Sequence, residues 1–447
     1  MRRPSTLRIA LLSGSLAVLS VAGFAVSQML PLPAHPSSAV TPQGLLSKSF
    51  DDSAPNAAQV RRGQYLVAAG DCISCHLREG GEPFAGGLAL NTPFGLIYTS
   101  NITPDRDSGI GAWSSDQFFR AMHDGKGAHG EDLYPAFPYP WFRRVSREDD
   151  DAIFAFLMTL PAVNYTPPKN DLAFPLNFRT LVGAWNTLFL DSHNFQSDPE
   201  QSAEWNRGAY LVNGLGHCGA CHTPKNSLGA DKSKQELQGG KLDNWVAPDL
   251  TSNTRIGLGD WSVDDIAEFL ASGRNAHAAA GGAMADVITY STSFISDADR
   301  RAIAVYLKSQ PASPSVAASS PDAGAMRRGA EIYSDACASC HLDNGIGQTR
   351  LFPPLGKDAM LQQPDPTGLE HLILGGTQIG VSSSRPSPLG MPSFAWKLTD
   401  QEIADVSTYI RNSWGNQAAP VAVADVSELR KKLNLQTVRL TDNSGDH

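Results

Sequence analysis

The 447-residue sequence has no cysteine outside three close pairs; its six cysteines all stand as C-x-x-C. A disulfide framework joining distant parts of the chain is therefore not what they build. A basic excess is missing too. Lys and Arg number 36 against 45 Asp and Glu, a formal net charge of -9, which argues against nucleic acid as a partner. Beyond Leu30 no apolar run reaches the ~20 residues that cross a bilayer. No nucleophile or general-base constellation stands out either, so substrate chemistry is expected on another chain. Apolar residues are not scarce. They make up 41% of the chain, ordinary for a protein with real cores, and the length allows two to four domains.

The N-terminus, MRRPSTLRIALLSGSLAVLSVAGFAVSQML, has basic Arg2, Arg3 and Arg8 before an uncharged apolar run from Ile9 to Leu30. This reads as a secretory signal peptide, with small residues for cleavage after Ala25 or Ser27. Left uncleaved, the run is long enough to anchor the chain in a membrane. Residues 1–35 are thus expected to be a signal peptide or an N-terminal anchor, and the rest of the chain to be exported.

The cysteines occur as Cys72-Ile-Ser-Cys75-His76, Cys218-Gly-Ala-Cys221-His222 and Cys337-Ala-Ser-Cys340-His341. C-x-x-C-H is the attachment signature of a c-type haem. Two thiols a helical turn apart add to the vinyl groups of one porphyrin, and the next residue presents its imidazole to the iron. A lone C-x-x-C also serves redox disulfides and half zinc sites. Disulfides do not need the histidine, and zinc needs further ligands beside each pair. Histidine follows by chance a few per cent of the time, so three in three is a coincidence of roughly one in ten thousand. The cysteines are assigned to three covalently bound haem c groups, with His76, His222 and His341 as iron ligands.

Arg62-Gly63-Gln-Tyr-Leu precedes the first motif, Arg207-Gly208-Ala-Tyr-Leu the second and Arg328-Gly329-Ala-Glu-Ile-Tyr333 the third. Each opens an amphipathic helical pattern of about three turns. Each repeat closes on another helical pattern: Asp149 to Leu160, Asp297 to Gln310 and Thr399 to Ser413. Ser296-Asp297 and Thr399-Asp400 offer N-caps, and Pro161 and Pro311 follow the first two helices. Repeats one and two share more with each other than with the third. Phe84-Ala-Gly-Gly87 matches Leu237-Gln-Gly-Gly240, and Trp113-Ser-Ser-Asp116 matches Trp261-Ser-Val-Asp264. Repeat three instead has Leu351-Phe-Pro-Pro-Leu355 after its motif. That stretch is either a plain turn or the source of a prolyl carbonyl that accepts the Nδ1–H of His341 and fixes its tautomer.

The repeats imply domains at 55–165, 203–312 and 322–416. Pro311 to Ala323 is rich in Pro, Ser and Ala and expected to be flexible. Residues 166–202 form an apolar linker too short to span a bilayer. It is either a helix packed between domains or a contact surface for a partner or the membrane edge. Residues 417–447 are a C-terminal tail, whose short amphipathic stretch, Val423 to Leu440, suits surface packing.

This organisation resembles the class I cytochrome c fold repeated three times in tandem, a mainly α architecture. The resemblance implies that the first and last helices of each domain cross where a glycine meets an aromatic: Gly63 with Phe156, Gly208 with Tyr306 and Gly329 with Tyr409. Over residues 55–416 the chain is similar to the triheme cytochrome c subunits of membrane-bound periplasmic dehydrogenases. The specific marks are Tyr134-Pro-Ala-Phe-Pro-Tyr139, Ile303-Ala-Val-Tyr-Leu307 and Trp414-Gly. Such subunits serve alcohol, aldehyde, gluconate, sorbitol or fructose dehydrogenases. The resemblance implies an electron-transfer subunit that is not catalytic alone. Electrons come from a catalytic subunit bearing a quinone cofactor, flavin or molybdopterin. They leave to ubiquinone or a terminal oxidase, at the periplasmic face of the cytoplasmic membrane. Two other classes stay open: a cytochrome c peroxidase-like enzyme and a free periplasmic electron carrier.

Methionine commonly takes the iron face opposite the histidine, and its thioether raises the potential. Met284 in Gly281-Gly-Ala-Met284 and Met391 in Leu389-Gly-Met391-Pro-Ser-Phe lie between motif and last helix, where the resemblance places that ligand. Aligning Gly125-Lys-Gly-Ala-His129 with Gly273-Arg-Asn-Ala-His277 brings Phe137 close to the place of Met284. Phenylalanine cannot ligate iron. His129, Met122, Met158 or an open position beneath an aromatic ring remain for the first haem, whose potential is expected to lie below the others. Variants with Phe here are similar to those accompanying molybdenum hydroxylases.

Overall fold

Three times along the chain, a helix leading into a C-x-x-C-H motif crosses a helix from the far end of the same segment. A computed structural model describes residues 41–191, 194–314 and 320–436. The expected signal peptide or anchor, residues 315–319 of the expected flexible linker and the tail beyond 436 lie outside the described residues. The fold is mainly helical. In the first segment α1 (Ala57–Ala69), α2 (Ser115–Asp124) and α3 (Arg147–Leu157) pack together, and α4 (Thr180–Phe189) follows. The second segment groups α5 (Ala203–Tyr210), α6 (Val263–Ser272) and α7 (Asp297–Lys308); the third groups α8 (Ala323–Ala336), α9 (Thr367–Gly375) and α10 (Asp400–Ile410).

Glycine sets each crossing. A Cβ added at Gly63 would stand 1.8 Å from the Ala152 carbonyl oxygen and 2.9 Å from Phe156 Cβ. At Gly208 it would stand 2.0 Å from the Ala302 oxygen and 2.8 Å from Tyr306 Cβ, and at Gly329 2.3 Å from the Asp405 oxygen and 2.6 Å from Tyr409 Cβ. The backbones touch at these points, so only a residue without Cβ fits. The glycine–aromatic pairs are those the resemblance implies.

The arginine before each glycine seals the contact. Arg62 Nε donates to Asp149 Oδ1 at 2.7 Å; Arg207 grips both Asp299 oxygens at 2.8 and 2.7 Å, and Arg328 both Asp405 oxygens at 2.7 and 2.9 Å. Asp149 and Asp299 sit in the first turns of α3 and α7, whereas Asp405 lies mid-way along α10. The glycine–aromatic contact keeps one register in all three crossings; only the aspartate that pairs with the arginine is displaced, in the third. Ser146, Ser296 and Thr399 cap the three closing helices, accepting from the amides of Asp149, Asp299 and Glu402. The Ser146 cap starts α3 two residues earlier than the sequence pattern suggests, because the acidic run after it hides the helix start.

The first two segments exchange identical contacts. Tyr65 Oη on α1 donates to Asp299 Oδ2 at 2.5 Å and accepts from the Ser296 amide at 3.1 Å. Tyr210 Oη on α5 donates to Asp149 Oδ2 at 2.6 Å and accepts from the Ser146 amide at 3.1 Å. Burial, reinforced by the aspartate, raises both phenols above their ordinary range. A reciprocal exchange of this kind marks an approximate two-fold relation.

Short antiparallel ladders complete the segments: β1 (Ala89–Thr92) with β2 (Gly95–Tyr98), joined by β3 (Asp171–Leu172); β4 (Gln238–Leu242) with β5 (Trp245–Asp249); and β6 (Thr377–Gln378) with β7 (Gly390–Met391). Phe84 and Leu237, matched in sequence, both take left-handed backbone geometry and are fully buried.

Within the apolar linker, α4 is a helix packed between the first two segments. In α4, Asn186 accepts from Tyr139 Oη at 2.6 Å and Trp185 Nε1 donates to the Leu228 carbonyl at 2.9 Å, tying the first segment to the second. Phe174, Phe178, Leu181 and Leu188 remain exposed. No helix of the described residues is long and apolar enough to cross a membrane. Beyond α10, α11 (Val423–Lys432) sends Val426 and Leu429 into the third core. Arg430 ties it down through Asp400 and the Ala395 and Leu398 carbonyls.

Glu370 on α9 gives that core a pH response. It is buried with Oε1 unpartnered. Burial first, then Asp425 and Asp365, push its carboxyl up to about 7, with Arg411 and Lys241 opposing. Between its ordinary 4.5 and about 7 the folded chain holds a proton that the unfolded chain has released. Stability from this group is thus present at low pH and lost as pH rises through that window. The Glu370→Gln variant should show a thermal midpoint that falls less between pH 5 and pH 8 than that of the native chain. Equal falls in the two proteins would remove Glu370 from the account.

Candidate functional site

Each motif forms a short helical turn: Cys72–Cys75, Cys218–His222 and Ala338–His341. Asp71 and His217 enter the first two through left-handed backbone geometry, turning the chain sharply out of the preceding helix. The histidines share one brace. Nδ1 of His76 faces the Ser100 carbonyl at 2.6 Å, that of His222 the Pro248 carbonyl at 2.7 Å, and that of His341 the Pro353 carbonyl at 3.0 Å. A carbonyl only accepts, so it selects the Nδ1–H tautomer and leaves the Nε2 lone pair for a metal. Burial lowers all three imidazoles below their ordinary pKa, which favours that neutral form. The prolyl carbonyl foreseen after the third motif is Pro353. The first two braces were not legible in the sequence, because the chain just beyond β2 and strand β5 deliver them from 24 and 26 residues away.

All six thiols are free. Burial pushes Cys72, Cys75 and Cys218 up to about 12, and Cys221 and Cys337 up to about 11. A reactive redox thiol shows the opposite shift. Among the described residues, no three His, Cys, Asp or Glu side chains gather as metal ligands. Two thiols and a carbonyl-braced imidazole in each motif fit a haem c, whose vinyl groups the thiols would take and whose iron Nε2 would meet.

Opposite-face candidates lie in different settings. Met391 on β7 pairs with Thr377 and packs against the same third core as Cys337. Met284 is half-buried in the short helix Ala283–Val287; Gly282 just before it abuts the Trp245 ring on β5, the strand that supplies the His222 brace. Phe137 is half-buried, its ring 5.5 Å from Phe142 and 6.3 Å from Tyr139. Left-handed Gly125 ends α2 against Tyr139, and left-handed Gly273 ends α6 against Ile288. Phe137 stands two residues before its packed partner and Met284 four. His129 is exposed in a turn, its amide donating to Glu131. His277 stacks on Trp261 with Nε2 3.3 Å from Asp265, a loop-fixing role. Met122 is buried on α2, and Met158 caps the end of α3.

Comparison with known proteins agrees with this site. A family model described as cytochrome c matches residues 326–414. The chain is 42% identical over 409 residues to the gluconate 2-dehydrogenase cytochrome c subunit of Pantoea cypripedii, covering 86% of this chain and 92% of that one. It is 41% identical over 414 residues to the cytochrome c subunit of the alcohol dehydrogenase (quinone) of Gluconobacter oxydans, covering 87% and 86%. It is 35% identical over 400 residues to the fructose dehydrogenase cytochrome subunit of Gluconobacter japonicus, covering 83% and 82%. With a cytochrome c domain in a mainly helical chain and this likeness along most of its length, the protein belongs to the family of dehydrogenase cytochrome c subunits.

Proposed function

We propose that the chain carries three covalent haems c in three tandem class I cytochrome c domains, at 55–165, 203–312 and 322–416. It takes electrons from the catalytic subunit of a periplasmic dehydrogenase, one bearing a quinone cofactor, flavin or molybdopterin, and delivers them toward ubiquinone or a terminal oxidase. Residues 1–35 direct export or anchor the chain, so that it works at the periplasmic face of the cytoplasmic membrane. One observation carries the count of three: every C-x-x-C-H motif has the same carbonyl-braced histidine beside the same glycine–aromatic helix crossing. The relatives named as subunits of gluconate, alcohol and fructose dehydrogenases support the catalytic partner.

When bound, each haem would supply one-electron iron chemistry. The chain supplies the rest. Cys72 and Cys75, Cys218 and Cys221, and Cys337 and Cys340 form the thioethers. His76, His222 and His341 offer Nε2, and Met284 and Met391 offer thioethers on the opposite faces of the second and third sites. Phe137 withholds one at the first, which lowers its potential relative to the other two.

The test is purification of tagged protein from gently solubilised membranes, with haem counted as pyridine haemochrome and companions identified by mass spectrometry and cofactor analysis. Three haems per chain and a stoichiometric catalytic subunit are expected. Fewer haems would overturn the count. A fully haem-loaded protein that emerges alone would overturn the partnership in favour of a free carrier or a peroxidase.

A further inference from the structure

The loop that carries Phe137 continues onto the second attachment motif. Trp141, only 5% exposed, lays its indole on Gly219, between Cys218 and Cys221. A Cβ at Gly219 would stand 2.1 Å from Cη2 and 2.5 Å from Cζ2 of that ring. The second motif alone has glycine here; the others have Ile73 and Ala338. The indole is fixed on its other sides. Nε1 donates to Asp231 Oδ2 at 3.1 Å, and the Arg144 guanidinium lies 5.2 Å from the ring centroid. The next residue, Phe142, meets His217 edge to face at 5.2 Å. His217 Nε2 in turn reaches the Gly70 carbonyl, two residues before Cys72, at 3.3 Å. The neighbours of Cys218 on both sides, His217 and Gly219, are thus held by the first domain.

We infer that Trp141 is a positioning residue for electron exchange between the first and second haems. It clamps the Cys218–Cys221 turn against the Phe137 loop, so that the two sites keep a fixed separation. This inference rests on the three-haem reading above. A tryptophan suits the role because it buries a large rigid surface while its N–H fixes its orientation. Leucine in its place leaves a void and frees the turn. A valine at Gly219 drives the indole off the motif. Electron exchange between haems weakens steadily with their separation, so a loosened turn slows it.

The experiment uses full-length, haem-loaded protein. Haem is first counted as pyridine haemochrome and the potentials titrated. Flash photoreduction then follows redistribution of electrons between the low-potential first haem and the second. Trp141→Leu and Gly219→Val should retain three haems and slow redistribution several-fold. The third potential should be unchanged in both. An unchanged rate in fully loaded Trp141→Leu overturns the inference. Should Trp141→Leu lose haem, Gly219→Val decides: an unchanged rate, with haem intact, also overturns it. Native protein with fewer than three haems sinks the underlying reading instead, and the two failures are distinguishable by the haem count alone.

Discussion

Methionine in place of Phe137 is expected to add one site's worth of the ferric Met-to-iron charge-transfer band and to raise the lowest of the haem potentials. The rise should be on the order of 0.1 V, a fraction of the ~0.8 V that axial ligands command. Phe137 occupies the segment between the α2-terminating glycine and the closing helix, as Met284 does in the second domain. Its ring is half-buried rather than locked into the core, so a flexible thioether is accommodated with little repacking. The native protein should show a band of two-site intensity, and Met284→Ala and Met391→Ala should each remove half of it. A native band already at three sites, or a Phe137→Met protein with unchanged band and potentials, would defeat the assignment. The consequence of the native phenylalanine is directional. On the three-haem reading, one site held below its neighbours in potential would let electrons that enter there run downhill to the other two.

Much of this was legible because haem attachment is written in contiguous residues. C-x-x-C-H is a local motif, and an Arg-Gly recurs shortly before each one, so the motifs and the helices before them could be read directly. The glycine–aromatic partners were reachable only through resemblance, since Gly63 and Phe156 lie ninety-odd residues apart and nothing in the helical period of either helix names the other. The carbonyl braces of His76 and His222 were out of reach, because a backbone acceptor leaves no residue-type signature. Pro353 was visible only because Pro-Pro is distinctive. Trp141 was missed for a further reason: its partner is Gly219, and glycine inside a C-x-x-C reads as filler until an indole is seen upon it. The reciprocal Tyr65 and Tyr210 contacts stayed hidden because each tyrosine reads as a core residue of its own helix, whereas its hydroxyl serves the other domain.

Valine at Gly208 should be the most damaging single substitution in the second domain, costing at least about 3 kcal/mol. The new Cβ would fall 2.0 Å from the Ala302 oxygen, and the contact is backbone to backbone, so no rotamer change relieves it. α5 and α7 must separate, and the separation pulls Arg207 away from Asp299. Thermal unfolding and haem content would both register the loss, with Ala203→Val on the exposed first turn of α5 as the control for β-branching alone. Equal stability of the two variants would mean that the crossing is not where the second domain is held. The damage should also reach the first domain, because Asp299 is the acceptor for Tyr65. Tyr65→Phe should therefore cost clearly less in the Gly208→Val background than in the native chain. A buried hydroxyl loses its worth once its acceptor has moved, and sites that share a partner do not add. Full additivity would instead show that the Tyr65 contact does not depend on the Gly208 crossing.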